Sequence, residues 1–199
     1  MGDGDRAGAG VNRAVFLDRD GVINRAVVRN GKPYPPQGLA DFELLPGVPD
    51  AIRSVHDAGF RVIVATNQPD VATGLQLRAT VESFHAHLRA ALCIDDIKVC
   101  YHVDADACAC RKPRPGMLID AAAQWNIDLA ASIMVGDRWR DIEAGKAAGC
   151  RTILVEGAYD ERPAEGFDAV VPSLLDASRL ILSGRLKPAP TYERKTYRL

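Results

Sequence analysis

Acidic side chains in this sequence stand directly after short apolar segments. Asp18 and Asp20 follow one such segment, and Asp137 and Asp141 follow another. Carboxylate oxygens are the ligands that Mg²⁺ prefers, and a carboxylate can attack phosphorus to form an aspartyl-phosphate. These four residues therefore indicate metal-assisted phosphoryl transfer.

Hydroxyl, amide and cationic side chains also follow the apolar segments. They are Thr66, Asn67 and Gln68 after one segment, Arg111 and Lys112 after a loop, and Arg138 beside Asp137. A hydroxyl group and cations stabilise the charge of a phosphoryl group. The sequence has no Gly-x-x-x-x-Gly-Lys-Ser/Thr loop, which argues against a P-loop nucleotide site.

Three of the five cysteines form a cluster with a histidine, in the order Cys100, His102, Cys108 and Cys110. Three thiolates and an imidazole are a normal ligand set for tetrahedral zinc, and four protein ligands leave no open position for water. In a reducing compartment such a cluster is more typical of a metal site than of disulfides, although free thiols beside a surface histidine are the alternative. We expect a structural zinc clip directly ahead of Arg111 and Lys112. Cys93 and Cys150 are expected to be buried.

The apolar segments themselves predict the architecture. Short β-branched segments near residues 14–17, 62–65, 97–100, 133–135 and 152–155 are typical of buried parallel strands, and helical spacing recurs between them. Strands that alternate with helices predict an α/β fold with a doubly wound parallel sheet. In such a sheet ligands bind at the carboxyl ends of the strands, where the polar residues above lie. Residues 29–38 and 100–116 are predicted loops.

The composition is that of one globular domain. The chain has 199 residues, of which 47% are hydrophobic and 26% charged, and its net charge is −1. These values argue against wholesale disorder and against nucleic-acid or membrane partners. We expect a flexible N-terminus over residues 1–12, one domain over 13–183 with the zinc loop at 100–110, and a basic tail over 184–199. Because the first residues lack the apolar centre of a signal peptide, we expect a cytoplasmic protein. We also expect a monomer.

Four motifs resemble those of haloacid dehalogenase (HAD) superfamily phosphatases and occur in the same order. They are Phe16–Asn24, Thr66-Asn67-Gln68, Arg111-Lys112-Pro113 and Gly136–Asp141. The sequence is similar, within the superfamily, to the D-glycero-D-manno-heptose 1,7-bisphosphate phosphatases and their histidinol-phosphate phosphatase relatives. This closer resemblance includes the Cys-x-His and Cys-x-Cys elements ahead of Arg-Lys-Pro. It implies a HAD-like hydrolase fold without a large cap domain, and a structural zinc.

The resemblance implies a catalytic role for each matched residue. Asp18 is the nucleophile, and Asp20 protonates the leaving oxygen and later removes a proton from water. Thr66 and Lys112 bind the phosphoryl oxygens. Mg²⁺ is held by Asp18, the backbone carbonyl of Asp20, and Asp137.

The resemblance also implies substrate contacts. Asn67, Arg111 and Arg138 contact the substrate, including a second phosphate. Asp141 matches the second acidic position of the fourth motif, with a role either near the metal or at a helix N-terminus. The relatives usually continue Thr-Asn-Gln with Ser-Gly, whereas this chain has Pro69-Asp70, which puts the substrate rather than the mechanism in doubt.

The expected function is a Mg²⁺-dependent phosphatase that converts D-glycero-D-manno-heptose 1,7-bisphosphate, a small phosphorylated sugar, to the heptose 1-phosphate. The same motifs serve histidinol-phosphate phosphatases, which is the first alternative. A phospho-receiver signalling domain also places Asp, Thr and Lys at strand ends, but it does not need Asp20. A zinc-stabilised binding module without turnover is a third alternative, and the complete set of catalytic residues argues against it.

Overall fold

Strands and helices alternate along the chain. The computed structural model describes residues 11–157 and 159–186. Its strands are β1 (Arg13–Leu17), β2 (Val27–Arg29), β3 (Lys32–Tyr34), β4 (Phe60–Asn67), β5 (Asp96–Cys100), β6 (Ile133–Gly136), β7 (Arg151–Val155) and β8 (Ala169–Val171). Its helices are α1 (Val48–Asp57), α2 (Arg78–Ala91), α3 (Gly116–Trp125), α4 (Trp139–Ala148) and α5 (Leu174–Leu182). All five predicted strands are therefore present.

Six of the strands form one parallel sheet in the order β5-β4-β1-β6-β7-β8. β1 lies between β4 and β6, and successive side chains of β1 enter opposite cores. Val15 and Leu17 pack with α1, α2 and α5, whereas Ala14 and Phe16 pack with α3 on the other face. A strand that is apolar at every position is expected when both faces of the sheet are covered. The prediction of a doubly wound α/β sheet is confirmed.

The loop predicted over residues 29–38 is wrong in its first half. Val27 pairs with Tyr34 and Arg29 pairs with Lys32 in an antiparallel hairpin. Asn30 and Gly31 form its turn and both have positive φ, as a tight hairpin turn of type I′ requires. The Asn-Gly pair is a signal for such a hairpin, but the prolines that follow it favoured the prediction of a loop.

A further departure concerns one of the two isolated cysteines. Cys93 is exposed, so the expectation that it is buried was wrong, whereas Cys150 is buried. Helix α5 begins after Ser173, whose hydroxyl accepts a hydrogen bond from the Asp176 N–H at 3.2 Å. Leu186, near the start of the predicted basic tail, is buried. Most of the predicted flexible N-terminus and basic tail lies outside the described residues. Within the described part of the chain, no helix is long and apolar enough to cross a membrane.

Gly136 ends β6 against the side chain of Asp141. A Cβ atom at Gly136 would lie 2.1 Å from Asp141 Cβ. Because both residues are buried, we expect Gly136→Ala to lower the free energy of unfolding by about 1–3 kcal/mol through overpacking. Gly38→Ala is the matched control, since a Cβ there meets nothing within 4 Å and should change stability by less than about 0.5 kcal/mol. Urea denaturation measures both, and equal effects would contradict the close packing.

Candidate active site

The carboxyl ends of three central strands bring the predicted residues to one edge of the sheet. Asp18 follows β1, Thr66 lies near the end of β4, and Asp137 follows β6. Leu17 is in register with both Val64 and Val135, so the three strands end at nearly the same level. This arrangement is the one expected for ligand binding in an open α/β sheet.

The ammonium group of Lys112 joins two of the carboxylates. Its Nζ donates to Asp18 Oδ1 at 2.7 Å and to Asp141 Oδ1 at 2.5 Å. Burial by itself lowers the pKa of Lys112, but the charges of Asp141 and Asp18 outweigh burial and raise this pKa above its usual value. Burial raises the pKa of Asp18 to about 6, an effect that Lys112 opposes and Asp141 reinforces. Lys112 is therefore a charged ammonium between two buried acids.

Asp137 completes a cluster of three buried carboxylates. One oxygen each of Asp18, Asp137 and Asp141 lies within 4.8 Å of the others. The Tyr159 hydroxyl donates to Asp137 Oδ2 at 2.6 Å, whereas the buried Asp137 Oδ1 has no hydrogen-bond partner among the described residues. Burial, reinforced by Asp18 and Asp141, raises the pKa of Asp137 well above its usual value. An unpartnered oxygen in a group of like charges fits a site for a divalent cation.

Asp141 also belongs to the N-terminus of α4. Its Oδ2 accepts the backbone N–H of Arg138 at 3.1 Å while its Oδ1 accepts the Lys112 ammonium. The two roles left open from the sequence, near the metal and at the helix N-terminus, are thus compatible in one side chain.

Asp20 is held by three donors. The buried guanidinium of Arg19 lies 2.8 Å from Asp20 Oδ2, Gln68 Nε2 donates to the same oxygen at 2.8 Å, and Asn24 Nδ2 donates to Oδ1 at 3.0 Å. Burial alone raises the pKa of Asp20, but Arg19 and these hydrogen bonds outweigh burial and lower it. Gln68 Nε2 also donates to Thr66 Oγ1 at 2.8 Å, so one amide links Asp20 to Thr66.

His85 supports this network from α2 and was missed in the sequence. Its Nε2 lies 3.2 Å from Arg19 Nη1, and the whole side chain is buried. Burial and the Arg19 charge lower the pKa of His85 to about 4, against the opposing effect of Glu82, so the imidazole is neutral. The available signal was position, because His85 lies one helical turn after Val81 on the apolar face of α2.

Asn67 is occupied by the backbone of Lys112. Its Nδ2 donates to the Lys112 carbonyl at 3.0 Å, and its Oδ1 accepts the Lys112 N–H at 3.1 Å. The predicted substrate residue Asn67 therefore holds the segment that carries Lys112. Whether it also contacts the substrate stays a prediction.

A cavity of about 220 Å³ opens above these groups. The predicted residues that line it are Asp18, Asp20, Thr66, Asn67, Arg111, Lys112 and Arg138. Pro69 and Asp70, the departure noted in the sequence, line it as well. Lys32, Tyr34, Arg140 and Glu161 also line it and were given no role from the sequence. Lys32 and Tyr34 reach it from the β2–β3 hairpin, where they lie two residues apart and so share one face. Burial, reinforced by Asp20 and opposed by Arg111, raises the pKa of Asp70.

The cysteine cluster ends directly before Arg111, which lines this cavity. The three Sγ atoms lie 3.2, 3.4 and 3.7 Å apart, and His102 Nδ1 lies 3.6 Å from Cys100 Sγ and 3.3 Å from Cys110 Sγ. These distances are too long for disulfides. Thiolates bound to one tetrahedral zinc at ~2.3 Å are separated by ~3.8 Å, so the cluster fits this ion.

Comparisons with known proteins agree with the geometry. A family model described as HAD-hydrolase-like matches residues 109–177. The D-glycero-beta-D-manno-heptose-1,7-bisphosphate 7-phosphatase of Bordetella bronchiseptica is 40% identical over 152 residues, which are 72% of this chain and 80% of that protein. The D-glycero-alpha-D-manno-heptose-1,7-bisphosphate 7-phosphatase of Mycobacterium tuberculosis is 36% identical over 161 residues, which are 75% of this chain and 83% of that protein.

A solved structure extends the similarity to three dimensions. The D,D-heptose 1,7-bisphosphate phosphatase of B. bronchiseptica, complexed with magnesium and phosphate, has a TM-score of 0.72 and 33% identity and covers 86% of this chain and 99% of its own. Fold and site thus define a HAD-type phosphatase, a phosphoric monoester hydrolase. The chain belongs to the family of D-glycero-manno-heptose-1,7-bisphosphate 7-phosphatases.

Lys112→Met should destabilise the protein strongly in buffer without divalent cations. Methionine is also unbranched and is one atom shorter than lysine, but it leaves Asp18 and Asp141 buried without their ammonium partner, which costs about 3–5 kcal/mol. Lys98→Met is the control, because Lys98 pairs with Asp96 in a partly exposed position and should cost no more than about 1 kcal/mol. Urea denaturation compares the two variants. A Lys112→Met protein as stable as Lys98→Met would show that the carboxylate cluster does not depend on Lys112.

Proposed function

We propose that the protein hydrolyses the 7-phosphate ester of D-glycero-D-manno-heptose 1,7-bisphosphate and releases the heptose 1-phosphate. The observation that carries this proposal is one shared cavity. Asp18 and Lys112 line it together with the arginines Arg111 and Arg138. A substrate with two phosphates can thus place one on the nucleophile and the other on the arginines.

The proposed chemistry has two steps. An Asp18 carboxylate oxygen bonds to phosphorus while the bond from phosphorus to the sugar oxygen breaks, and Asp20 gives that oxygen a proton. Water then attacks phosphorus, Asp20 takes its proton, and inorganic phosphate leaves Asp18. Lys112 and Thr66 bind the phosphoryl oxygens throughout. A bound phosphoryl group beside Asp20 adds negative charge, which raises the pKa of Asp20 toward that of a useful acid.

A magnesium ion fits the carboxylate cluster. Asp18, the unpartnered Oδ1 of Asp137 and the backbone carbonyl of Asp20 would hold it. When bound, the ion supplies positive charge that offsets the phosphoryl oxygens. The B. bronchiseptica relative was solved with magnesium and phosphate, which supports this assignment.

Zinc is the proposed ion of the cysteine cluster. Cys100, His102, Cys108 and Cys110 provide four soft or borderline ligands and no open position, so the ion is structural rather than catalytic. The cluster ends one residue before Arg111, so zinc would fix the chain that carries Arg111 and Lys112.

Arg111 and Arg138 are the proposed ligands of the second phosphate. Arg111 Nη1 is buried and has no hydrogen-bond partner among the described residues, so it has a donor to offer. Arg138 is oriented by Glu161, to which its Nε donates at 3.0 Å. The relatives include enzymes named for both anomers, so they favour neither. A cytoplasmic monomer stays a prediction.

A phosphate-release assay tests the substrate assignment. Purified protein with Mg²⁺ is given the α and β heptose 1,7-bisphosphates, histidinol phosphate and common sugar monophosphates. We expect the highest kcat/KM on a heptose bisphosphate, because only a bisphosphate uses both parts of the cavity. A preference for histidinol phosphate would overturn the assignment of the heptose bisphosphate as the substrate, but it would leave the proposed phosphatase mechanism in place.

Asp18→Asn should abolish turnover while the substrate still binds. The amide keeps the shape of the side chain but cannot attack phosphorus, so we expect kcat to fall at least about a thousandfold. Calorimetry should still detect binding of the bisphosphate, because Lys112 and Thr66 remain. Asp57→Asn, at an exposed position, is the control and should behave like the wild type. If Asp18→Asn kept activity within about tenfold of the wild type, the assignment of Asp18 as the nucleophile would be refuted.

The two metals should separate on dialysis against EDTA. Magnesium in a site of hard oxygen ligands exchanges readily, whereas three thiolates bind zinc tightly. We expect catalysis to stop and Mg²⁺ alone to restore it, with about one zinc per chain retained throughout. Elemental analysis provides the measurement. A stable, active protein that was purified without zinc would exclude the zinc clip.

Cys108→Ser should destabilise the protein and weaken substrate binding. Loss of one thiolate releases zinc and loosens the segment before Arg111, so we expect a Tm lower by at least about 5 °C and a raised KM with residual Mg²⁺-dependent turnover. Cys93→Ser makes the same chemical change at an exposed cysteine outside the cluster. Equal Tm values for the two variants would argue against a structural ion at Cys108.

A further inference from the structure

Two guanidinium groups converge on the carboxylate of Asp104. Arg111 Nε donates to Asp104 Oδ1 at 2.8 Å. Arg140 Nη1 donates to the same oxygen at 3.1 Å, and Arg140 Nη2 donates to Asp104 Oδ2 at 3.2 Å. Asp104 therefore accepts two hydrogen bonds from Arg140 and one from Arg111.

These three residues come from separate parts of the fold. Asp104 lies in a short helical turn within residues 100–110, the segment that carries the cysteine cluster and is called the cysteine loop below. Arg140 lies in the first turn of α4, and Arg111 directly precedes Lys112. Arg140 Nη1 also approaches the Lys112 carbonyl at 3.4 Å. The ion pairs therefore connect the cysteine loop to the first turn of α4. They do so next to Arg111, the proposed ligand of the second phosphate.

The contact to Asp104 determines how Arg111 presents its remaining donors. A guanidinium is planar, so a hydrogen bond that fixes Nε also fixes the direction of both Nη atoms. Arg111 Nη1 is buried and has no partner within the described residues. A buried donor without an acceptor is costly, and an acceptor supplied by a ligand removes that cost. Arg111 and Arg140 both line the cavity, which is where such an acceptor would bind.

We propose that Asp104 and Arg140 are positioning residues for the substrate phosphate that is not transferred. Arg140 holds Asp104, and Asp104 orients Arg111 so that its free donors face that phosphate. This inference rests on the proposed function, in which Arg111 binds the second phosphate. It assigns a positioning role to two residues that were given no role from the sequence.

The sign of the Asp104 effect separates orientation from simple electrostatics. A carboxylate near a phosphate repels it, so a role through charge alone predicts that Asp104→Asn tightens the binding of a bisphosphate. Orientation of Arg111 predicts the opposite, because the neutral amide loses a charge-assisted hydrogen bond and the side chain of Arg111 gains freedom.

The first test compares KM values for two substrates in Asp104→Asn, Arg140→Gln and the double variant. The substrates are the heptose 1,7-bisphosphate and p-nitrophenyl phosphate, which has a single phosphate. We expect the ratio of the two KM values to rise about tenfold in each single variant, the size of one charge-assisted hydrogen bond, with a smaller change in kcat. The double variant should resemble the single ones, since both act through Arg111.

Asp106→Asn is the matched control for the turn. Asp106 lies in the same helical turn and accepts the Val103 N–H at 2.8 Å, but it has no contact with either arginine. We expect its KM ratio to equal that of the wild type. An equal rise in Asp106→Asn would show that disturbance of the turn, rather than the arginine contact, weakens binding, and would overturn the inference. Tighter binding of the bisphosphate by Asp104→Asn would overturn it as well.

A second test does not require the heptose to be the substrate. Hexose 1,6-bisphosphate and hexose 6-phosphate are used as competitive inhibitors of p-nitrophenyl phosphate hydrolysis. The wild type should prefer the bisphosphate, and Asp104→Asn and Arg140→Gln should reduce that preference about tenfold. An unchanged preference overturns the inference. Failure of the wild type to hydrolyse heptose bisphosphate overturns the proposed function instead, and this inhibition test still decides on Asp104 and Arg140.

Discussion

The ammonium of Lys112, buried between Asp18 and Asp141, is the interaction on which the rest of the site depends. The parallel sheet brings strand ends together, and with them three carboxylates within 4.8 Å of one another. Like charges about 4 Å apart repel by roughly 4 kcal/mol at an effective dielectric constant near 20. Lys112 offsets part of this repulsion, and a divalent cation would offset more. The chemistry of the strand ends therefore requires a cation delivered from elsewhere in the chain.

The need to position Lys112 explains the structure of the loop between β5 and α3. Lys112 is not on a strand, so its backbone must be held by other means. Asn67 clamps it with two hydrogen bonds, and the Gly116 N–H donates to the Ala109 carbonyl at 3.1 Å. A Cβ at Gly116 would lie 2.4 Å from that carbonyl oxygen, so the loop folds tightly against the start of α3. The cysteine cluster lies within the same loop, where a bound ion would order the chain next to the cation.

The sequence predicted the parts of the molecule that follow from local pattern. Buried β-branched segments predict strands, and residues after them must share an edge, so Asp18, Thr66 and Asp137 were placed correctly relative to one another. Pairings such as Arg140 with Asp104 were not predictable, because they depend on how α4 and the cysteine loop approach each other in space. His85 was missed for a related reason: its burial follows from the helix face, but its partner Arg19 comes from β1's carboxyl end, far away in sequence.

Among the described residues no cap domain is inserted between the elements of the sheet, and charged side chains line the cavity. Three arginines that line the cavity pair with acids: Arg138 pairs with Glu161, and Arg111 and Arg140 both pair with Asp104. Each carboxylate reduces the net attraction for a phosphate, but it also lowers the entropy that the arginine loses when the ligand binds. Arginines without such partners would attract any anion, whereas under the proposed function arginines of fixed direction would favour a substrate with a second phosphate. Under this proposal, the open site would gain selectivity from the fixed orientation of its arginines rather than from enclosure.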